Sequence, residues 1–364
     1  MWLIISAAII SVSYFILIFI FESGWKRIPN FELQKFNTEP IFISVIIACK
    51  NEYNNLPHLI SSLSHQSYNN FELIIIDDHS TDKSREILPV LFKDMKYFQI
   101  INAIGFGKKN AIKEGITLAK GEFIVTCDAD CIPNLRWLET IAQFQTIFNC
   151  DLIICPIKYS KNESLFQRLQ NLEFTSLVAS GAGASGFGMP ILCNAANLAF
   201  KKNAWLNSQV SLHEEELSGD DIFLLESVKR NNGKIRFLKS ETAFVLTKPS
   251  ENIKYLIKQR RRWAGKSTTY TDWQLIYTAC NVLAISILIL FLFGISFVNN
   301  KYIVIFIEVF LFKYLLDGHF LRKVRPFFHL ENVWFYSLLL SCIYPIYIVF
   351  IALSSILIKP RKWN

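Results

Sequence analysis

The sequence predicts an α/β domain joined to membrane-spanning helices. Of the 364 residues, 52% are hydrophobic, and this excess is concentrated in one block at the start of the chain and three near its end. An apolar run of about 20 residues is long enough to cross a bilayer. The middle of the chain alternates short β-branched runs with segments of helical spacing, which favours a parallel sheet.

The first apolar block, residues 2–21, is predicted to be an uncleaved membrane anchor. A signal peptide would have a positively charged start and a small-residue cleavage site. Here no Lys or Arg precedes the run, and Lys26 and Arg27 follow it. Because basic flanks favour the cytoplasmic side, we predict a cytoplasmic middle domain and an amino terminus outside.

The three late blocks are residues 273–298, 302–321 and 333–357. Charges interrupt the second block, and each costs about 2.5 to 3.5 kcal/mol at a helix centre. However, Lys313 and Asp317 are four residues apart and can pair on one helical face. We therefore predict that all three blocks cross, giving four spans. If 302–321 does not cross, the basic tail Lys359-Pro360-Arg361-Lys362 lies inside instead.

Composition argues against nucleic-acid binding and zinc sites. The formal charge is +8, but Lys and Arg gather beside the apolar blocks, which fits anionic lipid headgroups. None of the eight Cys has Cys-x-x-Cys spacing, and we interpret them as reduced cytosolic thiols.

A small-residue run at 181–188 formally matches the dinucleotide fingerprint G-x-G-x-x-G. We reject that interpretation, because the fingerprint follows a strand and opens a helix. This run follows a predicted helix at 165–180 and continues to Pro190. We predict a mobile loop near a site.

Acidic residues follow the predicted strands. The strand at 42–48 leads to Glu52, the strand at 71–76 leads to Asp77 and Asp78, and a later apolar run leads to Asp128 and Asp130. Strand side chains alternate, so the last two carboxylates are expected to point the same way. Open α/β sheets bind ligands at this edge. Paired carboxylates suit Mg²⁺ or Mn²⁺ that also contacts phosphate; the alternative is a polar loop after a core strand.

Two further motifs lie beyond the predicted sheet strands. Gly219-Asp220-Asp221 begins a predicted helix, with its acidic residues at the positive amino end. Residues 253–265 form a basic amphipathic stretch that contains Gln259-Arg260-Arg261-Arg262-Trp263. Such a stretch lies in a membrane interface more readily than it spans.

Four motifs in order resemble those of glycosyltransferase family 2, in its membrane-bound inverting branch. They are Ser44-Val45-Ile46-Ile47-Ala48-Cys49-Lys50-Asn51-Glu52, Ile76-Asp77-Asp78-His79-Ser80-Thr81-Asp82, Asp128-Ala129-Asp130, and Gly219-Asp220-Asp221 with Gln259-Arg260-Arg261-Arg262-Trp263. Cellulose synthases, hyaluronan synthases and ceramide glucosyltransferases belong to that branch. The resemblance covers roughly residues 42–263 and implies a GT-A fold with a nucleotide-sugar site.

The resemblance also implies residue roles. Asp77 matches the carboxylate that reads the base, and the other nucleotide-lining positions are Glu52, Asp78, Lys108 and Asp128. Asp130, with Asp128, matches the metal site for Mg²⁺ or Mn²⁺. Asp221 matches the general base, beside Asp220, where the family has Glu. The acceptor and diphosphate positions are Gln259, Arg262 and Trp263.

For some residues we weigh a structural role instead. Trp263 fits an interfacial anchor as well as a sugar platform. We expect Arg260 and Arg261 to meet lipid headgroups rather than substrate. His79 is predicted to cap a strand end, and Cys127 and Cys131 to be packing residues.

The implied function is transfer of a sugar from a nucleotide sugar, with UDP favoured, to a membrane-associated lipid or glycan. The alternatives are a processive polysaccharide synthase, a non-catalytic scaffold of the same fold and, more weakly, an Asp-x-Asp phosphatase. The expected place is a bacterial cell membrane, with an export partner or a homo-oligomer possible and no nucleic acid. The predicted segments are an anchor (1–30), a GT-A domain (31–250), an interfacial segment (251–272) and a membrane region (273–364).

Overall fold

The computed structural model describes residues 2–34, 40–91, 97–160, 163–208, 219–265 and 270–357. The predicted basic tail at 359–362 and part of the predicted interfacial segment lie outside these residues. The described chain divides into two compact units. The sheet unit takes its residues from 28–160 and 192–248, and the helical unit takes its residues from 1–27, 161–191 and 249–361.

The sheet unit has the predicted α/β order. Its described strands are β1 (Ile43–Cys49), β2 (Phe71–Asp77), β3 (Phe98–Asn102), β4 (Phe123–Cys127), β5 (Ile132–Pro133), β6 (Leu152–Ile154), β7 (Ile157–Tyr159), β8 (Asn197–Lys201), β9 (Ile235–Phe237) and β10 (Val245–Thr247). Its described helices are α2 (Leu56–Ser64), α3 (Ser84–Leu91), α4 (Lys108–Leu118), α5 (Trp137–Phe148), α7 (Lys202–Ser208) and α8 (Asp220–Arg230).

Seven of these strands form one mixed sheet in the order β3-β2-β1-β4-β8-β6-β9. β1 to β4 pair in parallel, as the sequence predicts, whereas β8 runs antiparallel to both β4 and β6. β1 and β2 are buried along their whole length. Two of their polar residues pair with each other, since the Ser44 hydroxyl donates to Glu72 Oε1 at 2.6 Å. A smaller sheet has the order β5-β10-β7.

The helical unit contains α1 (Trp2–Arg27), α6 (Leu165–Gly186), α9 (Ile253–Ala264), α10 (Trp273–Ser296), α11 (Lys301–Phe328) and α12 (Val333–Leu357). Among the described residues, α1, α10 and α12 are long and apolar enough to cross a membrane. α11 is a continuous helix over the charged block. Its buried Lys313 pairs with Asp317, as the four-residue spacing predicts, and the Tyr14 hydroxyl donates to Asp317 at 2.6 Å. Whether α11 spans stays a prediction.

The predicted loop at 181–188 is wrong, because α6 continues through Gly186. The small residues serve helix packing instead. A Cβ added at Gly24 of α1 would overlap the backbone carbonyl of Gly183 in α6, and a Cβ at Gly183 would overlap the carbonyl of Phe21. The two backbones therefore touch at this crossing, and any larger side chain would force them apart.

This contact predicts an effect on stability. We expect Gly24→Ala to lower the melting temperature of the detergent-solubilised protein, because overpacking of this kind costs roughly 1 to 3 kcal/mol. Gly294→Ala in α10 is the matched control, since a Cβ there meets nothing within 4 Å. Equal melting temperatures for the two variants would contradict the close crossing.

Candidate active site

Two carboxylates follow β4 at the carboxyl edge of the parallel strands. β4 ends at Cys127, so Asp128 and Asp130 leave the strand in a turn closed by the Cys131 N–H, which donates to the Asp128 carbonyl at 3.1 Å. The predicted strand alternation is therefore wrong for this pair, because a turn carries them. They still lie close together: burial and the Asp128 charge raise the pKa of Asp130 above its ordinary value.

Lys108 opens α4 and pairs with Asp128, at 2.5 Å between Nζ and Oδ1. Burial alone would lower the pKa of Lys108. The charges of Asp128, then Asp220 and Asp221, outweigh it, and the pKa rises above its ordinary value. The Lys108 ammonium therefore interacts electrostatically with the carboxylate that follows β4 and with those at the start of α8. The Asp128–Asp130 turn and the Asp220–Asp221 pair thus lie on the same side of the sheet as Lys108.

Asp77 is the last residue of β2 and Asp78 follows it, and the two carboxylates have different hydrogen-bond partners. Asp78 is fully buried and accepts hydrogen bonds from the Gly107 N–H at 3.0 Å and from Lys50 Nζ at 3.5 Å. It therefore anchors the loop that precedes α4. Asp77 is 3% exposed, and its Oδ1 atom has no hydrogen-bond partner among the described residues. A buried acceptor of this kind is costly unless a ligand donates to it.

Glu52 lies beside the Asp128–Asp130 turn. Asn55 Nδ2 donates to its Oε2 at 2.6 Å, and Lys248 Nζ donates to Asn55 Oδ1 at 2.6 Å. Burial raises the pKa of Glu52, and so do the charges of Asp130 and Asp128, despite the Asn55 hydrogen bond. Glu52, Asp128 and Asp130 therefore repel one another electrostatically at this side of the site.

Asp221 is held at the first turn of α8. Its Oδ2 accepts the Ala195 N–H at 3.2 Å, and its Oδ1 accepts the Ile222 N–H at 2.9 Å. Asp220 beside it is buried, and Gly219 before them has a φ of 110°, which favours glycine. Neither the Ala195 amide nor Asn55 was found from the sequence, because backbone donors and second-layer amides leave no motif.

The comparison with known families then decides the assignment. Residues 44–205 match the family described as glycosyl transferase family 2. These residues therefore carry a domain of the glycosyltransferase family 2 type. The resemblance inferred from the motifs is confirmed, and so is the GT-A fold, the mixed α/β sheet that this family 2 domain contains.

Polysaccharide synthases are among the relatives that this chain resembles in sequence. A poly-beta-1,6-N-acetyl-D-glucosamine synthase of Staphylococcus epidermidis is 26% identical over 300 residues, covering 81% of this chain and 70% of the relative. The corresponding synthase of S. epidermidis strain RP62A is 26% identical over 224 residues, covering 61% of this chain and 53% of the relative.

A solved structure shares the fold of this chain. It is a mannosyltransferase from Pyrobaculum calidifontis in complex with GDP-Man and Mn²⁺. The TM-score is 0.61 at 14% identity, over 95% of this chain and 99% of that one. This likeness concerns the fold alone.

The remaining predicted site residues lie on α9, in the helical unit. Gln259, Arg262 and Trp263 are all partly buried. Arg260 contradicts its predicted contact with lipid headgroups: it is 4% exposed and pairs with Glu173 of α6 at 2.5 Å. An isolated buried guanidinium would be costly, so it takes a buried carboxylate as its partner.

Outside α9, His79 stacks on Phe106, with ring centroids 4.2 Å apart. Cys127 and Cys131 are buried, in keeping with packing residues. Among the described residues, no group of three His, Cys, Asp or Glu side chains is arranged to hold a metal ion unaided.

Proposed function

We propose that the protein is a membrane-embedded inverting glycosyltransferase that moves a sugar from a nucleotide diphosphate sugar to a membrane-held lipid or glycan. The observation that carries this proposal is the 2.5 Å ion pair of Lys108 with Asp128, next to Asp130, with the charges of Asp220 and Asp221 also raising the pKa of Lys108. Packing does not require such a set at strand ends, which weighs against a non-catalytic scaffold. The three apolar helices support a membrane location.

Asp77 is the proposed contact for the base. Its buried Oδ1 has no hydrogen-bond partner among the described residues and can therefore accept a bond from a ligand. Uracil and guanine each have a ring N–H that can donate such a bond. We propose a UDP-sugar, because the family branch that the motifs resemble uses this donor. Lys108, Asp128 and Glu52 line the rest of the nucleotide site, and Asp78 holds the loop before Lys108.

The residues at the Asp128–Asp130 turn fit a divalent cation. Asp130 and Asp128 would supply hard oxygen ligands, and burial together with the Asp128 charge raises the pKa of Asp130, so a nearby Mg²⁺ or Mn²⁺ would favour its ionised form. Because the protein offers few ligands, donor diphosphate oxygens would complete the shell. When bound, the ion supplies electrostatic neutralisation of the leaving diphosphate.

Asp221 is the proposed general base. The acceptor hydroxyl oxygen bonds to the anomeric carbon while the bond from that carbon to the diphosphate oxygen breaks. The hydroxyl proton passes to Asp221, and the bonding electrons leave with the nucleoside diphosphate. The N–H groups of Ala195 and Ile222 donate to the Asp221 carboxylate and fix its orientation. Each carboxylate oxygen keeps a further lone pair, so Asp221 can accept that proton. Gln259, Arg262 and Trp263 would handle the diphosphate and the acceptor.

A processive polysaccharide synthase is the second candidate, favoured by the two poly-N-acetylglucosamine synthase relatives. It uses the same residues and differs only in keeping the product after each transfer. The predicted four-span layout, cytoplasmic catalytic domain and bacterial cell membrane belong to the proposal. An export partner or homo-oligomer is an additional hypothesis.

The test uses the full chain in lipid nanodiscs with membrane lipid extract and radiolabelled UDP-N-acetylglucosamine, UDP-glucose and GDP-mannose. We expect metal-dependent release of nucleoside diphosphate, with label in a lipid or glycan fraction. Label in high-molecular-weight material would favour the synthase, and label in short glycolipid would favour single transfer. Release of no nucleoside diphosphate from any donor would contradict the proposal.

The base contact makes a separate prediction. We expect Asp77→Asn to weaken UDP binding by about 10- to 100-fold, since hydrogen bonds to charged groups contribute about 1.5 to 3 kcal/mol. Isothermal titration calorimetry measures this directly. Asp151→Asn is the control, because Asp151 precedes β6 at the opposite edge of the sheet. Unchanged UDP affinity in Asp77→Asn would remove Asp77 from the base site.

A further inference from the structure

We propose that Arg260 is a positioning residue that orients Gln259 and Trp263, and that Glu173 of α6 holds Arg260 in place. This inference rests on the proposed function, in which Gln259 and Trp263 serve the diphosphate and the acceptor. It assigns roles to two residues that the sequence motifs leave unassigned.

The ion pair between Arg260 and Glu173 has the geometry of a fixed clamp. Arg260 Nε donates to Glu173 Oε1 at 3.1 Å, and Arg260 Nη2 donates to Oε2 at 2.5 Å. Both side chains are buried. A planar guanidinium that meets a carboxylate through two parallel bonds has a single allowed orientation. The orientation of Arg260 is therefore determined by α6.

The same guanidinium fixes the Gln259 side chain. Arg260 Nη1 donates to Gln259 Oε1 at 2.6 Å. Since Arg has donors only, the Gln259 oxygen must face Arg260 and its NH₂ group must point elsewhere. Gln259 is thereby presented as a hydrogen-bond donor, which suits oxygen atoms of a phosphate or a sugar.

The Trp263 ring is fixed in the same way. The Arg260 guanidinium carbon lies 4.2 Å from the ring centroid, and Phe174 lies 6.3 Å away. A cation on the face of an indole is favourable, more so when partly desolvated. One face of Trp263 is therefore covered by Arg260, and a sugar could stack only on the other face.

α6 holds the start of α9 by a second contact. Gln170 Nε2 donates to the Ser250 carbonyl at 3.0 Å, and the Ser250 N–H donates back to Gln170 Oε1 at 3.0 Å. Gln170 and Glu173 are three residues apart, so they lie on one face of α6. The segment that carries the motif is thus attached to α6 near both of its ends.

The first experiment compares Arg260→Lys with Lys258→Arg, an exposed exchange of the same two residue types in α9. Lysine keeps the charge but loses the two-bond geometry and the flat face on Trp263. We expect Arg260→Lys to lower kcat for transfer roughly 10- to 100-fold, the size expected for misplacement of a reacting group. Its Kd for UDP should change by a much smaller factor than kcat, and Lys258→Arg should match the parent throughout.

The second experiment separates positioning from folding. Glu173→Arg combined with Arg260→Glu restores opposite charges but removes the cation from Trp263 and the donor from Gln259. We expect the melting temperature to recover relative to either single variant, while transfer stays low. Recovery of transfer with the swap would show that only the ion pair matters and would overturn the inference, as would parental kcat in Arg260→Lys.

The two proposals fail in different ways. If the parent itself releases no nucleoside diphosphate, the proposed function is wrong. If the parent transfers sugar and Arg260→Lys equals it, the function stands and Arg260 has no positioning role. If Arg260→Lys weakens UDP binding by the same factor as it lowers kcat, the defect is general and the positioning role is again refuted.

Discussion

Asp221→Asn is expected to reduce sugar transfer by about 10²- to 10⁴-fold, the usual loss when a general base is removed. Asparagine has nearly the same shape and can still accept the Ala195 N–H, so the first turn of α8 should keep its geometry. It cannot take the acceptor proton. UDP affinity, measured by calorimetry, should therefore remain close to that of the parent while transfer is lost.

The control for this variant is Asp151→Asn, the same change in the same unit but at the amino end of β6. Asp151 pairs with Lys201 at 2.9 Å, so this change can lower stability without lowering kcat. Transfer by Asp221→Asn within tenfold of the parent would exclude Asp221 as the base. Asp220 would then be the next carboxylate to test.

Removal of the metal site should have the second large effect. Asp130→Ala is expected to abolish the stimulation of activity by Mg²⁺ or Mn²⁺ and to weaken donor binding, because Asp130 is the proposed protein anchor for the ion. Calorimetric titration of UDP-sugar into the parent with Mn²⁺ and with EDTA should give clearly different affinities. In Asp130→Ala the two titrations should coincide at the weaker value.

The control is Glu122→Ala, which removes an exposed carboxylate just before β4, at the other end of that strand. It should keep the full difference between Mn²⁺ and EDTA. Equal donor affinity of the parent in both conditions would refute the metal role of Asp130 and Asp128.

Local patterns were sufficient to predict the parallel half of the sheet. The runs that became β1 and β2 are mostly apolar, and the acidic residues at their carboxyl ends mark where the strands stop. Carboxyl ends of parallel strands share one edge, so grouping Asp77, Asp78, Asp128 and Asp130 required no knowledge of distant contacts. The antiparallel β8 was not predicted, because strand direction depends on how the chain returns and not on composition.

The errors concern residues whose surroundings come from far along the chain. Gly183 was placed in a loop because its small-residue run follows a predicted helix and continues to Pro190, yet in the fold this glycine allows α1 to approach α6 closely. Arg260 was placed at the membrane surface because its neighbours are basic, yet its partner, Glu173, lies 87 residues earlier. Neither contact has a local signature, since only the folded helical unit brings these residues together.

The assembly of the helical unit from three separate stretches limits how the sheet unit can be obtained as a water-soluble fragment. Removing α1 and everything after residue 248 leaves α6 in the chain, because α6 lies between β7 and β8 in sequence. That fragment would expose the buried face of α6. Glu173 would lose its ion pair with Arg260, and Gly183 would lose its contact with α1. A fragment without membrane helices that stays in solution therefore requires an internal excision of residues 161–191 as well as trimming at the two ends.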